Sequence, residues 1–178
     1  MTITIKITRR FVLVTAFLFV SMLLLATRFQ ATASSPDAAA TPCPKVEEPR
    51  ISMASVLRLE RGYMVWLGDK RIIYVMYYDA GSTTKGTFET YAENWEEGMP
   101  ERDDSIVAPP GLWQPSRGFG KLWRENTKVR QGVGWGLSDS SGYMAVVAQQ
   151  GSKLWFNGRD NAFKIEGDHW EDIYAWRK

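Results

Sequence analysis

Two stretches of the chain share one outline of apolar and polar positions. In "RGYMVWLGDKRIIYV" (61–75) and "QGSKLWFNGRDNAFKI" (150–165) a Gly stands four residues before a Trp, Gly62 to Trp66 and Gly151 to Trp155. In both, a Gly-plus-charge turn then opens a new apolar run, and the two copies are 89 residues apart. The first copy has β-prone runs at 55–60, 63–67 and 71–78, joined at Arg61-Gly62 and Gly68-Asp69, which predicts a meander. The second repeats the order at 144–149, 153–156 and 161–165. Tyr91 and Trp95 trail the first copy and Tyr174 and Trp176 the second, so the duplicated unit spans 55–95 and 119–176. Glycine adopts positive φ at little cost, and a Trp buries on the order of 150–250 Å². Gly62, Trp66, Gly151 and Trp155 are therefore expected to be structural anchors, with both indoles in the core.

The segment between the copies has a different character. Residues 93–118 are acidic and punctuated by Pro and Gly, the pattern of a long, partly ordered connection. Helix formers run from about Gly118 to Glu125, break at Asn126, and resume from an N-cap at Thr127 to a stop at Gly132. Leu122, Trp123, Val129 and Val133 are expected to face the sheet. The predicted fold class is α+β: antiparallel β-meanders from a duplicated hairpin unit, packed with one or two short helices.

The ends change the picture of charge. Lys6, Arg9 and Arg10 precede a sixteen-residue apolar run, Phe11–Ala26, and Ala31-Thr32-Ala33 supplies a small-x-small step. That pattern predicts a signal peptide over 1–33, cleaved after Ala33. The competing reading is an uncleaved anchor over 9–28, since spanning a bilayer takes about 20 apolar residues and a tilted or extended helix comes close. The whole chain is +2, yet beyond residue 33 there are 18 basic against 20 acidic side chains, a net of −2. This excludes the basic footprint of nucleic-acid binding. Residues 34–50 are small and Pro-rich and predict a disordered spacer; residues 51–178 make one domain and carry all eight Trp. Cys43, the single cysteine, excludes an internal disulfide and reads as an inert thiol ahead of lipid attachment or an intermolecular bridge.

With the outline in place, "FGKLWREN", "VRQGVGWG" and "AQQGSKLWF" resemble the LGFP repeat of exported bacterial envelope proteins. "VGWG" (133–136) stands where its Leu-Gly-aromatic step falls, and Gly151 with Trp155 stands for its hairpin; "LERGYMVW" is then the hairpin of a partial preceding unit. The likeness covers about 55–78 and 115–166. It departs in having no Pro after Trp135, Leu59 and Gln149 in place of the Phe before the hairpin Gly, and about one and a half units. The resemblance implies a non-catalytic module that associates with the cell wall or another envelope polysaccharide, and a secreted or extracytoplasmic location.

The residues themselves offer little catalytic chemistry. His169 is the only histidine, and in "EGDHWED" its acidic neighbours would alternate faces on a strand, so the stretch reads as a solvated turn and not a metal site. Asp103-Asp104-Ser105 and Asp139-Ser140-Ser141-Gly142 lack the ligand spacing of a calcium loop. No Gly-x-Ser-x-Gly elbow or phosphate-binding glycine motif is present. Neither metal nor cofactor nor catalytic set is expected. Trp113, Gln114, Arg117 and Phe119 in "LWQPSRGF" are the candidate ligand-binding residues, an aromatic-plus-polar set of the kind that stacks on sugar rings. Two alternatives stand beside the envelope-binding module: a small secreted hydrolase using the acids of 96–104 and 166–172, and an accessory protein whose partner is another envelope protein.

Overall fold

Strand β2 (Gly62–Leu67) is buried on both faces: Tyr63, Val65 and Leu67 point one way into one apolar cluster, and Met64 and Trp66 point the other way into a second. The first face lines the lumen of a closed antiparallel barrel of eight strands, and the second lies under a helical cover on its outside. The computed structural model describes residues 47–174. The predicted signal peptide or anchor, most of the spacer, Cys43 and Trp176 lie outside the described residues.

The first four strands, β1 (Arg50–Leu59), β2, β3 (Ile72–Tyr78) and β4 (Lys85–Ala92), form one meander. The last four, β5 (Ser141–Gln150), β6 (Lys153–Asn157), β7 (Ala162–Glu166) and β8 (His169–Asp172), form another. Antiparallel pairing of β1 with β5 and of β4 with β8 closes the ring in the order β1-β2-β3-β4-β8-β7-β6-β5. In this order β1–β4 and β5–β8 run outward from the β1–β5 seam in the same sequence, which places Trp66 and Trp155 on corresponding strands, β2 and β6.

The expected α+β class is thus corrected to a mostly β barrel. The helices are two short insertions between β4 and β5, α1 (Arg117–Glu125) and α2 (Thr127–Val133). Asn126, not Thr127, caps α2, its side chain accepting from Val129 N–H at 3.1 Å. The strands that escaped notice are the fourth of each meander. β4 exposes half of its eight residues and buries only Gly86, and β8 is only four residues long. The "EGDHWED" stretch is therefore the Gly167 turn plus the closing strand, not a terminal turn. β1 also begins before the expected 55 and takes in the end of the spacer; Glu47 N–H already donates to Gln149 C=O.

Eight strands enclose a lumen just wide enough for side chains to fill. Here Tyr63, Tyr74, Phe156, Phe163 and Trp170 pack inside, with Tyr63, Phe163 and Trp170 meeting edge to face at centroid distances of 5.3–5.9 Å. At the start of β1, Ser52 turns inward and, with Arg50, binds Asp69 of the β2–β3 turn. Burial alone would raise the Asp69 carboxyl, but the hydrogen bonds from Arg50 and Ser52 hold it below its usual range. The second apolar cluster lies outside the barrel, where Phe119, Trp123, Val129 and Val133 of the helices cover Leu57, Leu59, Met64 and Val75. Leu122 packs at its margin, so all four residues expected to face the sheet do so. Arg61, in the β1–β2 turn, donates to the C=O groups of Gln131 and Gly132 and ties off the end of α2.

The anchors need one correction. Neither Trp66 nor Trp155 is in the barrel interior: each is half-buried on an outward face, because its parity on the strand is opposite to that of the inner residues. Gly62 and Gly151 also do different jobs. Gly151 takes φ 59° in open space, as expected of a turn. Gly62 is required by close approach, since a Cβ there would lie 1.8 Å from the Met76 carbonyl oxygen.

Candidate functional site

A cleft of about 700 Å³ opens on the barrel's flank, where the helical cover ends. Its floor is Met53 and Ser55 of β1, Trp66 of β2, Ile73 of β3 and Met144 of β5; its other wall is Glu93 and Trp95 after β4 and Ser116–Phe119 at the start of α1. The outward row of β1 explains the position. Leu57 and Leu59 are covered by the helices, Ser55 is at their edge, and Met53 and Ile51 are bare.

The wall is held by its acidic and basic residues. Glu93 carboxylate accepts from Arg71 at 3.2 Å and from Trp95 N–H at 2.9 Å. Arg124 donates to the Pro100 and Glu101 carbonyls, and Arg102 pairs with Asp139 at 2.8 Å. Arg117 pairs with Glu101 at 2.8 Å and lies 5.7 Å over the Trp95 ring. Its φ of 50° is left-handed, a conformation that costs a non-glycine residue of order 1 kcal/mol and that collects at binding sites.

The polar atoms of the floor are turned away. Trp66 Nε1 and the Tyr143 hydroxyl are buried without partners, so neither donor reaches the cleft and what Trp66 shows there is carbon. Burial pushes the Tyr143 hydroxyl up to about 12. Ser55 Oγ donates to Ser141 C=O, and Ser116 is bonded to Asp139. The lining is thus largely apolar, with Arg117 and Glu93 as its two charges.

Of the four candidate ligand-binding residues, Arg117 and Phe119 line this cleft together. Trp113 and Gln114 do not. Trp113 is exposed and pairs its backbone with Gly136, and the buried Gln114 side chain clamps the Asp103 backbone with bonds of 2.9 and 3.2 Å. Met53, Trp95 and Met144 are among the lining residues that sequence reasoning did not assign to a site, and Trp66 was expected only as a core anchor. The signal for two of them was present: "ISMASV" and "YMAVV" carry apolar groups at both strand parities, which a one-sided strand does not need.

A second hollow of about 240 Å³ lies by β8, with His169, Glu166, Lys164 and Lys85 on its rim. Glu166 there bridges Lys164 and Lys153, whose hydrogen bonds hold its carboxyl down to about 2, and His169 contacts Asp168. Among the described residues no cluster of His, Cys, Asp and Glu is arranged to hold a metal ion, and no helix is long and apolar enough to cross a membrane. No family model, curated protein or solved structure matches the chain, and the likeness to the LGFP repeat rests on the residues quoted above.

Proposed function

We propose that the chain is a non-catalytic, exported binding module that associates with the cell envelope through the cleft beside β1. The observation that carries this reading is the cleft: its volume is in the range that accepts small ligands, and it is walled by Trp66, Trp95, Phe119, Met53 and Met144. The leader pattern of residues 1–33 supplies the case for export.

The hydrolase alternative has less to stand on. Carboxylate catalysis of glycoside hydrolysis needs two carboxyl groups facing each other about 5–9.5 Å apart. Four of the acids that motivated it are spent separately: Glu101 on Arg117, Asp103 on Ser105, Glu166 on two lysines, Asp172 on Asn161. Glu93 is the one carboxylate of the lining, and Arg71 holds it.

The test is retention of the full chain on separated envelope fractions: insoluble wall, soluble polysaccharide and lipid vesicles. Retention on at least one is expected, reduced tenfold or more by Trp95→Ala, since truncating a stacked interface Trp costs about 2 kcal/mol. Retention on none, or retention indifferent to Trp95→Ala, overturns the reading.

A further inference from the structure

The cleft does not end at its mouth. Along β1 the bare residues Ile51 and Met53 are 69% and 62% exposed, and across the seam Val146 and Met144 of β5 are 52% and 59% exposed. The register sets Met53 against Met144 and Ile51 against Val146, so the four form one strip, continuous with the cleft floor.

The shape of the strip selects its occupant. It is two strands wide, with strands about 4.8 Å apart. Asn157, bonded to Val146 N–H, borders it at β6, and the turn at Gly68, bonded to Met53 C=O, borders it at β2. A partner helix about 10 Å across would press on those polar borders. An extended peptide would bring backbone N–H and C=O groups that need partners, and a closed barrel has no free strand edge to supply them. A hydrocarbon chain has neither requirement, and the two facing methionines adapt readily to one.

The charges select the other end. Glu93 is 11% exposed and neutralised by Arg71, whereas Arg117 is 65% exposed, and its exposed pair with Glu101 is of the kind that exchanges partners easily. Arg117 also opens α1, whose N-cap Ser116 makes no side-chain capping bond, so the helix end adds to the positive field there.

We propose that cleft and strip together hold a single-chain amphiphile, its hydrocarbon tail on the Met53–Met144 and Ile51–Val146 pairs and its anionic head at Arg117. The proposal rests on the reading of the cleft as a binding site and names the ligand class. A free fatty acid and a lysophospholipid share this chemistry.

The experiment is photo-crosslinking of the full chain with diazirine-bearing palmitate, and with a lysophosphatidylglycerol of the same tail, followed by peptide mapping. Adducts are expected on peptides carrying residues 51–55, 116–119 and 142–146, competed by unlabelled palmitate. Peptide mapping keeps them distinct from any adduct on the apolar run 11–26. Met144→Glu, at an exposed position where the fold is checked by circular dichroism, should cut them roughly tenfold. Arg117→Gln should weaken labelling by both anionic probes roughly tenfold and leave a neutral alkyl-glucoside probe unchanged. The stronger of the two anionic probes identifies the source of the head group. Adducts confined to other peptides, cleft adducts indifferent to Met144→Glu, or equal loss of the neutral probe in Arg117→Gln would each overturn the proposal. Labelling of the cleft by a diazirine-bearing polysaccharide fragment without amphiphile adducts keeps the binding reading and sinks this ligand class; labelling by neither sinks both.

Discussion

At Gly62 the space for a side chain is taken by a backbone atom, the Met76 carbonyl, and not by a movable side chain. Gly62→Ala is therefore expected to destabilise by about 3 kcal/mol or more, among the larger single-residue effects. Gly151→Ala meets nothing within 4 Å and faces only the left-handed backbone, a cost of about 1 kcal/mol. Urea midpoints of the two variants read the difference, and equal midpoints would contradict it. Asp69 supplies a pH-dependent term. Its folded pKa lies below the unfolded one, so its stabilisation is full above the ordinary carboxylate range and is lost as pH falls through the depressed value. Asp69→Asn should cost about 1–2 kcal/mol near neutrality, and the gap from the parent should close as the pH falls through the depressed value. Denaturant titrations at several pH values check both the size and the sign. Gly62, Trp66, Gly151 and Trp155 stood out in the sequence, and Gly151 turns the chain as expected, but the face each indole takes was not legible. Strand parity decides whether an indole faces the lumen or the flank, and parity depends on which neighbour each strand pairs with.

At the level of elements, the shortest strand does the closing. β8 pairs with β4 over three residue pairs, Lys85 with Glu171, Gly86 with Trp170 and Thr87 with His169. Trp170 secures this seam by filling the lumen and donating from Nε1 to Tyr77 C=O at 2.9 Å. Trp170→Ala should cost about 3–5 kcal/mol. Hydrogen exchange should show the β4 and β8 amides losing protection before those of β2 and β3. Uniform loss around the ring would mean that the seam is not the weak point. The helices were legible in 118–132 because caps, apolar spacing and stop residues are local signals; Trp123, Val129 and Val133 bury as that spacing requires. β4 and β8 were not, since one alternates polar residues on its open face and the other is a single apolar side chain between charges.

For the molecule as a whole, closure is the organising fact. Ending the chain after Asn157 would remove β7 and β8 and leave β4 and β6 as open edges, templates for intermolecular pairing. Such a truncation is expected to aggregate, with size-exclusion chromatography as the measure; a monodisperse, protected monomer would show that the first six strands are self-sufficient. Closure also accounts for where the cleft is. The lumen is full of aromatic side chains, so the open space falls on the outer flank where the 93–140 insertion covers only part of β1 to β3.

The chain's own letters determined the duplicated turns, the aromatic richness, the two helical segments and the balance of charge beyond residue 33, all of which can be read without knowing which distant segments meet. Only the tertiary structure decided that two meanders share one ring, because β1 meets β5 across about 90 positions and no local pattern encodes that partner. The same holds for the cleft. Met53, Trp66, Trp95, Arg117 and Met144 come from five separate segments, and what unites them is the edge of a helical cover laid on a closed sheet.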